Sequence, residues 1–268
     1  MVFPGLGRAA TRAERLGASW ESVSTPFLHF EDGRLVSHIG VIETPLVLLG
    51  TPTTVASLHA VATHPEYRRR GYYRLLIEEV FDYCRGRYNT LVLTTENPEY
   101  YEPFGFRVLP EHVLTSSFSA SPGEDGFRRL NTEDPDDVRT LNRLLESRTP
   151  VSHVVGVAPE KAVFFFNEGG KPLHYCPELE TVLCMEVDGS KLRLFDVVAP
   201  RLPSAEQILK RMPDDISEVE LNFASDRMAP GAKAARRVLD HDGPSYLMVR
   251  GPFAAEKEAF TLPRSART

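Results

Sequence analysis

The segment Leu58-His59-Ala60-Val61-Ala62-Thr63-His64-Pro65-Glu66-Tyr67-Arg68-Arg69-Arg70-Gly71-Tyr72-Tyr73-Arg74 holds most of the chemistry this sequence offers. An apolar run passes through a turn into arginines and a glycine, and a helical stretch follows. The first turn of a helix leaves four backbone N–H groups without partners. Together with the helix dipole they favour an anion. Gly71 has no Cβ and lets the backbone approach that anion closely. Arg68, Arg69, Arg70 and Arg74 can add charge-assisted hydrogen bonds of about 1.5–3 kcal/mol each. A pyrophosphate or nucleotide phosphate is the natural guest; a solvated basic helix start is the plain alternative.

Other catalytic signatures fail. Gly5-Leu6-Gly7-Arg8-Ala9-Ala10 fits a dinucleotide pattern in letters only, because four residues leave no room for the strand that must precede it. Gly-x-Ser-x-Gly and the phosphate-binding Gly-Lys-Ser/Thr loop are absent. Cys84, Cys176 and Cys184 form no Cys-x-x-Cys pair, so no metal is expected. Their small odd number suits a reducing, cytoplasmic location. Residues 1–20 carry Arg8, Arg12, Glu14 and Arg15 without a long apolar stretch, so no signal peptide is expected.

The elements that must position the arginine–glycine turn follow from periodicity. In the first half, 27–31 and 35–49 flank Asp32-Gly33, a strong hairpin signal. Strands are expected at 54–63, 90–94, 104–109 and 112–118. A helix is expected at 72–83, with Leu75, Leu76, Val80 and Phe81 on one side. The second half repeats the order: a strand at 127–130, a helix at 134–147, a hairpin of 181–187 and 192–198 around Asp188-Gly189, a helix capped by Ser204, and strands at 218–224 and 245–249. The Ser-, Gly- and Pro-rich stretch around 116–126 marks a boundary. Domains are therefore expected at 1–118 and 127–268, joined by a linker at 119–126. The polar tail after Phe253 is expected to fray, and Phe164-Phe165-Phe166 reads as core or a contact between halves.

Composition fits a soluble globular chain: 268 residues, 42% hydrophobic and 25% charged. With Lys+Arg 31 and Asp+Glu 37 the net charge is −6, which argues against nucleic acid as a partner. No apolar run approaches the about 18 residues of a membrane span. The first lysine is Lys161, so arginine carries all the positive charge of the first half.

The turn Arg68-Arg69-Arg70-Gly71-Tyr72-Tyr73 resembles the acetyl-CoA signature of the GNAT N-acetyltransferase superfamily, Arg/Gln-x-x-Gly-x-Gly/Ala between a strand and a helix, with Tyr73 in place of the last small residue. Val61-Ala62-Thr63-His64-Pro65-Glu66 is similar to the family's strand end. Tyr100-Tyr101-Glu102-Pro103-Phe104-Gly105-Phe106 is similar to its Tyr-x-x-x-Gly-Phe stretch. The resemblance covers about 27–118. It implies an α/β (α+β) fold of tandem GNAT-like domains, each a mixed, mostly antiparallel sheet flanked by helices. That layout is similar to the first two domains of enhanced-intracellular-survival-type acetyltransferases. The second domain is degenerate, since Ala199-Pro200-Arg201-Leu202-Pro203-Ser204 offers prolines where the first offers Gly71. Only 1–25 precedes the first hairpin, too little for the family's opening strand and two helices. The acceptor side is therefore expected to be open, or completed by the second half or a partner chain.

The resemblance also implies roles. Val61, Ala62 and Thr63 would pair through their backbone with the pantetheine arm of acetyl-CoA, and Arg68, Arg69, Arg70, Gly71, Tyr72, Tyr73 and Arg74 would cradle the pyrophosphate. Glu96 and Asn97 would contact the arm, and Tyr101 would protonate the leaving thiolate. His59 lies two residues before Val61, hence on the same side of a regular strand, where a neutral imidazole could relay a proton; a satisfied core histidine is the alternative. Glu43, Glu96, Glu99 and solvent are other bases. The expected activity is direct transfer of an acetyl group to a small-molecule or peptide amine in a ternary complex, with room left for a homo-oligomer. A non-catalytic acyl-CoA sensor or an interaction module is the competing reading.

Overall fold

The computed structural model describes residues 5–118, 122–240 and 244–268. The chain runs α1 (Leu6–Arg15), α2 (Trp20–Val23), β1 (Ser24–Glu31), β2 (Arg34–Leu48), β3 (Thr51–Thr63), α3 (Tyr72–Cys84), β4 (Leu91–Thr95), β5 (Arg107–Val108), β6 (His112–Ser117) and β7 (Arg128–Arg129). It continues α4 (Pro135–Glu146), β8 (Val155–Val157), α5 (Ala162–Glu168), β9 (His174–Cys176), β10 (Thr181–Asp188), β11 (Lys191–Val198), α6 (Ala205–Leu209), β12 (Glu218–Leu221), β13 (Lys233–Arg236), β14 (Leu239–Asp240) and β15 (Pro244–Arg250). Asp32 and Gly33 both take positive φ, 49° and 76°, the pairing that a two-residue I′ hairpin demands. Leu49 and Gly50 repeat it between β2 and β3, at 47° and 79°.

Two mixed sheets form. The first orders β1-β2-β3-β4-β15-β14, with β5 on β15 and β8 on β2; the second orders β13-β6-β12-β11-β10-β9-β7. Each sheet is antiparallel except for one crossover: β3–α3–β4 in the first, β11–α6–β12 in the second. The repeated order is therefore real at the level of topology.

The halves exchange strands. β6 lies in the second sheet between β12 and β13, while β15 enters the first beside β4 and β5. The expected linker at 119–126 therefore does not separate the sheets, because β6 before it and β7 after it share one sheet; residues 119–121 lie outside the described residues. The tail is also unlike its expectation. Phe253, Phe260, Leu262 and Ala266 are buried against Leu46, Val55, Val92 and Leu247. Both of its arginines are paired internally: Arg267 with Glu111 at 2.5 Å and Arg264 with Glu168 at 2.7 Å. Thr94 donates to the Thr268 carbonyl through both N and Oγ1.

Two helices do fit within 1–25, contrary to the expected lack. They are short, and Ala13, Leu16 and Ala18 are buried in a core otherwise built by second-half residues such as Leu141, Phe165 and Leu173. α3 packs Leu76, Ile77, Val80 and Cys84 on the first sheet, with Ile39, Val41 and Leu58 opposite. Leu75, expected inward, is 49% exposed, because the apolar face lies one residue further round the helix. Among the described residues no helix is long and apolar enough to cross a membrane.

Candidate active site

The site begins with a break in β3. Its register against β2 passes from His38↔Ala62 to Gly40↔His59, so β3 holds one residue more than β2. Ala60 takes up the excess with φ +48°, the left-handed geometry of a bulge. β3 pairs with β4 only at Ala56↔Leu91 and Ser57↔Val92. Beyond that point the two strands part, and the edge of Val61–Thr63 that faces β4 is left without a ladder partner.

The turn after β3 leaves backbone donors unpaired in residues that border the same gap. Arg69 and Gly71 have φ +63° and +87°, and Gly71 is the N-cap of α3 with no side-chain cap. The first bond into the helix is Leu75 N to Gly71 O at 3.1 Å, so the amides of Tyr72, Tyr73 and Arg74 have no helical acceptor. A Cβ on Gly71 would meet nothing within 4 Å. Packing therefore does not require glycine there; the φ value does. Arg68 donates through Nε to Thr63 O at 3.2 Å, and Arg74 lies over Phe104 at 5.2 Å, so both arginine stems are braced.

These parts line one cleft of about 920 Å³. Of the residues expected at the site, Val61, Ala62, Thr63, Arg68, Arg69, Gly71, Tyr72, Tyr73, Arg74, Asn97 and Tyr101 border it. Tyr67, Pro103 and Phe104, to which the sequence assigns no role, also border it, as does Tyr100, the neighbour that a one-residue shift would exchange with Tyr101. Arg70 does not; its guanidinium turns back to Glu66 O and the Tyr67 ring. Glu96 is exposed at the end of β4, outside the lining.

Three tyrosines differ in what they do here. Tyr72 donates to Glu31 and stacks on His29 at 4.4 Å, which fastens the start of α3 to β1. Tyr73 turns its ring down between Tyr101 and Phe104, with centroids 6.1 and 5.3 Å away. Its hydroxyl is buried with no partner among the described residues, a donor in want of an acceptor. Burial, and then Tyr101, push its ionisation well above the usual phenol range. Tyr101 is 8% exposed, and burial pushes it up to about 12, offset in part by a hydrogen bond with the Thr95 side chain.

His59 is not brought to the cleft. The period-two rule that put it beside Val61 fails because the bulge at Ala60 inserts a residue between them. Its Nε2 lies 2.8 Å from Ser24 Oγ, its ring packs against Gly40, and Trp20 meets it edge-on at 5.1 Å. Burial, with His38 second, lowers its pKa to about 4. It lines a separate cavity of about 570 Å³ with Trp20, His38, Ala60 and Phe166 of the second half. A second cavity of similar size shares Leu6, Gly7, His38 and Ala60 with the first, and Ala62 with the cleft.

The corresponding turn in the second half is built differently. Ser204 and Gln207 form a reciprocal capping box at the start of α6, so the chain's own side chains occupy the Ser204 and Gln207 amides. Among the described residues no group of three or more His, Cys, Asp or Glu is placed to hold a metal ion.

Comparison with known proteins agrees with this geometry. The family model of the GNAT acetyltransferase domain matches residues 11–109. A conserved Enterococcus faecalis protein described as a probable N-acyltransferase superposes with TM-score 0.59 and 15% identity, covering 91% of this chain and 65% of its own. Eis1 from Mycobacterium abscessus gives 0.54 and 14%, covering 92% and 71%. A GCN5-related N-acetyltransferase from Kribbella flavida gives 0.53 and 14%, covering 100% and 72%. At these identities the likeness is one of fold, and the chain spans about two thirds of the length of the first of them. No curated protein matches the sequence.

Proposed function

We propose that this chain, which carries a GNAT acetyltransferase domain in residues 11–109, transfers an acetyl group from acetyl-CoA to an amine by direct attack in a ternary complex. One observation carries the reading: an unpaired strand edge, a left-handed glycine at an uncapped helix start and a buried phenol all border a single cleft. Val61–Thr63 would receive the pantetheine arm as an added strand, and one of their N–H groups would polarise the thioester carbonyl. Arg68, Arg69, Arg74 and the amides after Gly71 would hold the pyrophosphate. The Tyr73 hydroxyl would gain its missing acceptor from a carbonyl of the arm.

Tyr101 would give its proton to the departing thiolate. A phenol near 12 is a weak acid beside a thiol near 8.5. Its proton therefore leaves in concert with deprotonation of the newly acylated nitrogen, and the Thr95 hydrogen bond eases the step. The amine enters from the other side of β3, past Trp20, His38 and Phe166, so the second half supplies a wall of the acceptor side. A small-molecule or peptide amine fits this opening. The test is thiol release from acetyl-CoA across a panel of primary amines. Amine-dependent release supports transfer, and acetyl-CoA binding without release from any amine would mark a sensor instead.

A further inference from the structure

We infer that His38, at the junction of the two cavities beside the β3 bulge, takes the proton from the acceptor amine. The inference rests on the acetyl-transfer reading above. Its first support is a fixed tautomer. His38 Nδ1 lies 2.8 Å from the Ala60 carbonyl. A carbonyl only accepts, so Nδ1 carries the hydrogen and Nε2 of the neutral ring keeps a lone pair. Ala60 is also the bulge residue, so the distortion that shifts β3 against β2 also aims the base.

Position is the second support. His38 pairs with Ala62, which borders the cleft, and both cavities on the acceptor side include His38 and Ala60. His59 cannot compete, because its Nε2 is engaged by Ser24 and its ring is buried under Trp20. Among the described residues the charged and titratable groups facing His38 are few. His59 of β3 lies 6.2 Å away between ring centroids, Glu21 of α2 borders one cavity, and Arg34 and His64 border the other. Arg34 and His64 are bonded to each other at 2.8 Å. The stacked rings of Trp20 and Phe166, 4.4 Å apart, make the far wall aromatic, which suits an amine carried on an apolar body.

The protons balance. An ammonium acceptor loses one proton to His38 Nε2, which passes it to solvent. The free amine forms the C–N bond as the C–S bond breaks. The second proton shed by nitrogen replaces the one that Tyr101 gives to the thiolate. Acetamide, thiol and one released proton result.

The test substitutes His38→Asn, whose amide still reaches the Ala60 carbonyl but which has no Nε2 base. Probe amines are 2-phenylethylamine and hexylamine. At pH 7 kcat/KM should fall about 10²-fold or more, while calorimetric acetyl-CoA affinity stays within about twofold of the parent. The deficit should shrink as pH rises toward the amine's own ionisation, because the acceptor then arrives deprotonated. A constant deficit at every pH, an unchanged rate, or the same pH-dependent loss in His59→Asn overturns the assignment. A parent that binds acetyl-CoA yet releases no thiol with either amine overturns it too. A parent that does not bind acetyl-CoA overturns the reading of the cleft itself.

Discussion

His59 should make the fold acid-sensitive well above the range where carboxylates protonate. Its pKa is about 4 in the folded chain and 6.5 as a free side chain, with burial the main cause. The folded state therefore resists a proton that the unfolded chain accepts. Stability from this group is fully present above pH 6.5 and is lost as pH falls through that value toward 4. The full difference corresponds to about 3 kcal/mol, of which about 2 kcal/mol should be lost between pH 7 and pH 4.5. That is a large share of the 5–15 kcal/mol typical of a folded protein. The perturbation is His59→Gln, whose amide can still meet Ser24 Oγ but does not titrate. Urea unfolding of parent and variant at pH 7 and 4.5 isolates the effect, since other titrating groups are common to both. The parent should lose about 2 kcal/mol more than the variant across that interval. Equal losses would refute the claim that the ring is held neutral beneath the bulge.

Tyr101→Phe should lower kcat by about 10²–10⁴ with acetyl-CoA affinity unchanged by calorimetry; the same loss in Tyr100→Phe, a residue 61% exposed, would move the role. Arg267→Ala leaves the Glu111 carboxylate buried without its partner, and denaturant unfolding should show a loss of about 3–5 kcal/mol. A fragment of residues 1–119 lacks β15, which bridges β4 and β5, and the tail that buries Leu46 and Val92. It should be insoluble or lack a cooperative thermal transition, and a soluble fragment with full activity would contradict the strand exchange.

Part of the local geometry around the cleft could be read before the fold. Asp32-Gly33 announced its hairpin because its backbone geometry excludes most other residues. Gly71 after three arginines announced a left-handed residue at a helix start for the same kind of reason. The bulge left no such mark: Ala60 is an ordinary residue at φ +48°, held there by pairing between β2 and β3. That one conformation keeps His59 off the cleft lining and sets the Ala60 carbonyl 2.8 Å from His38 Nδ1. Strand exchange was illegible because the alternation in β6 and β15 fixes which face is buried and says nothing of which neighbour the strand takes. The tail misled through its charges, since Arg264 and Arg267 look like solvent-facing residues until Glu168 and Glu111 stand opposite them. The N-terminal helices were missed because α1 and α2 are short and draw their core from the second half.

The most direct measurement is calorimetric titration of acetyl-CoA into the full chain and into Gly71→Glu. A Cβ at Gly71 meets no protein atom within 4 Å, although φ +87° strains any residue but glycine, so circular dichroism should first show the variant folded. One saturable site per chain is expected in the parent, with binding abolished in the variant by bulk and like charge at the helix start. Unchanged affinity in a folded variant, or two sites per chain, would contradict the placement of the phosphate device at Gly71 alone.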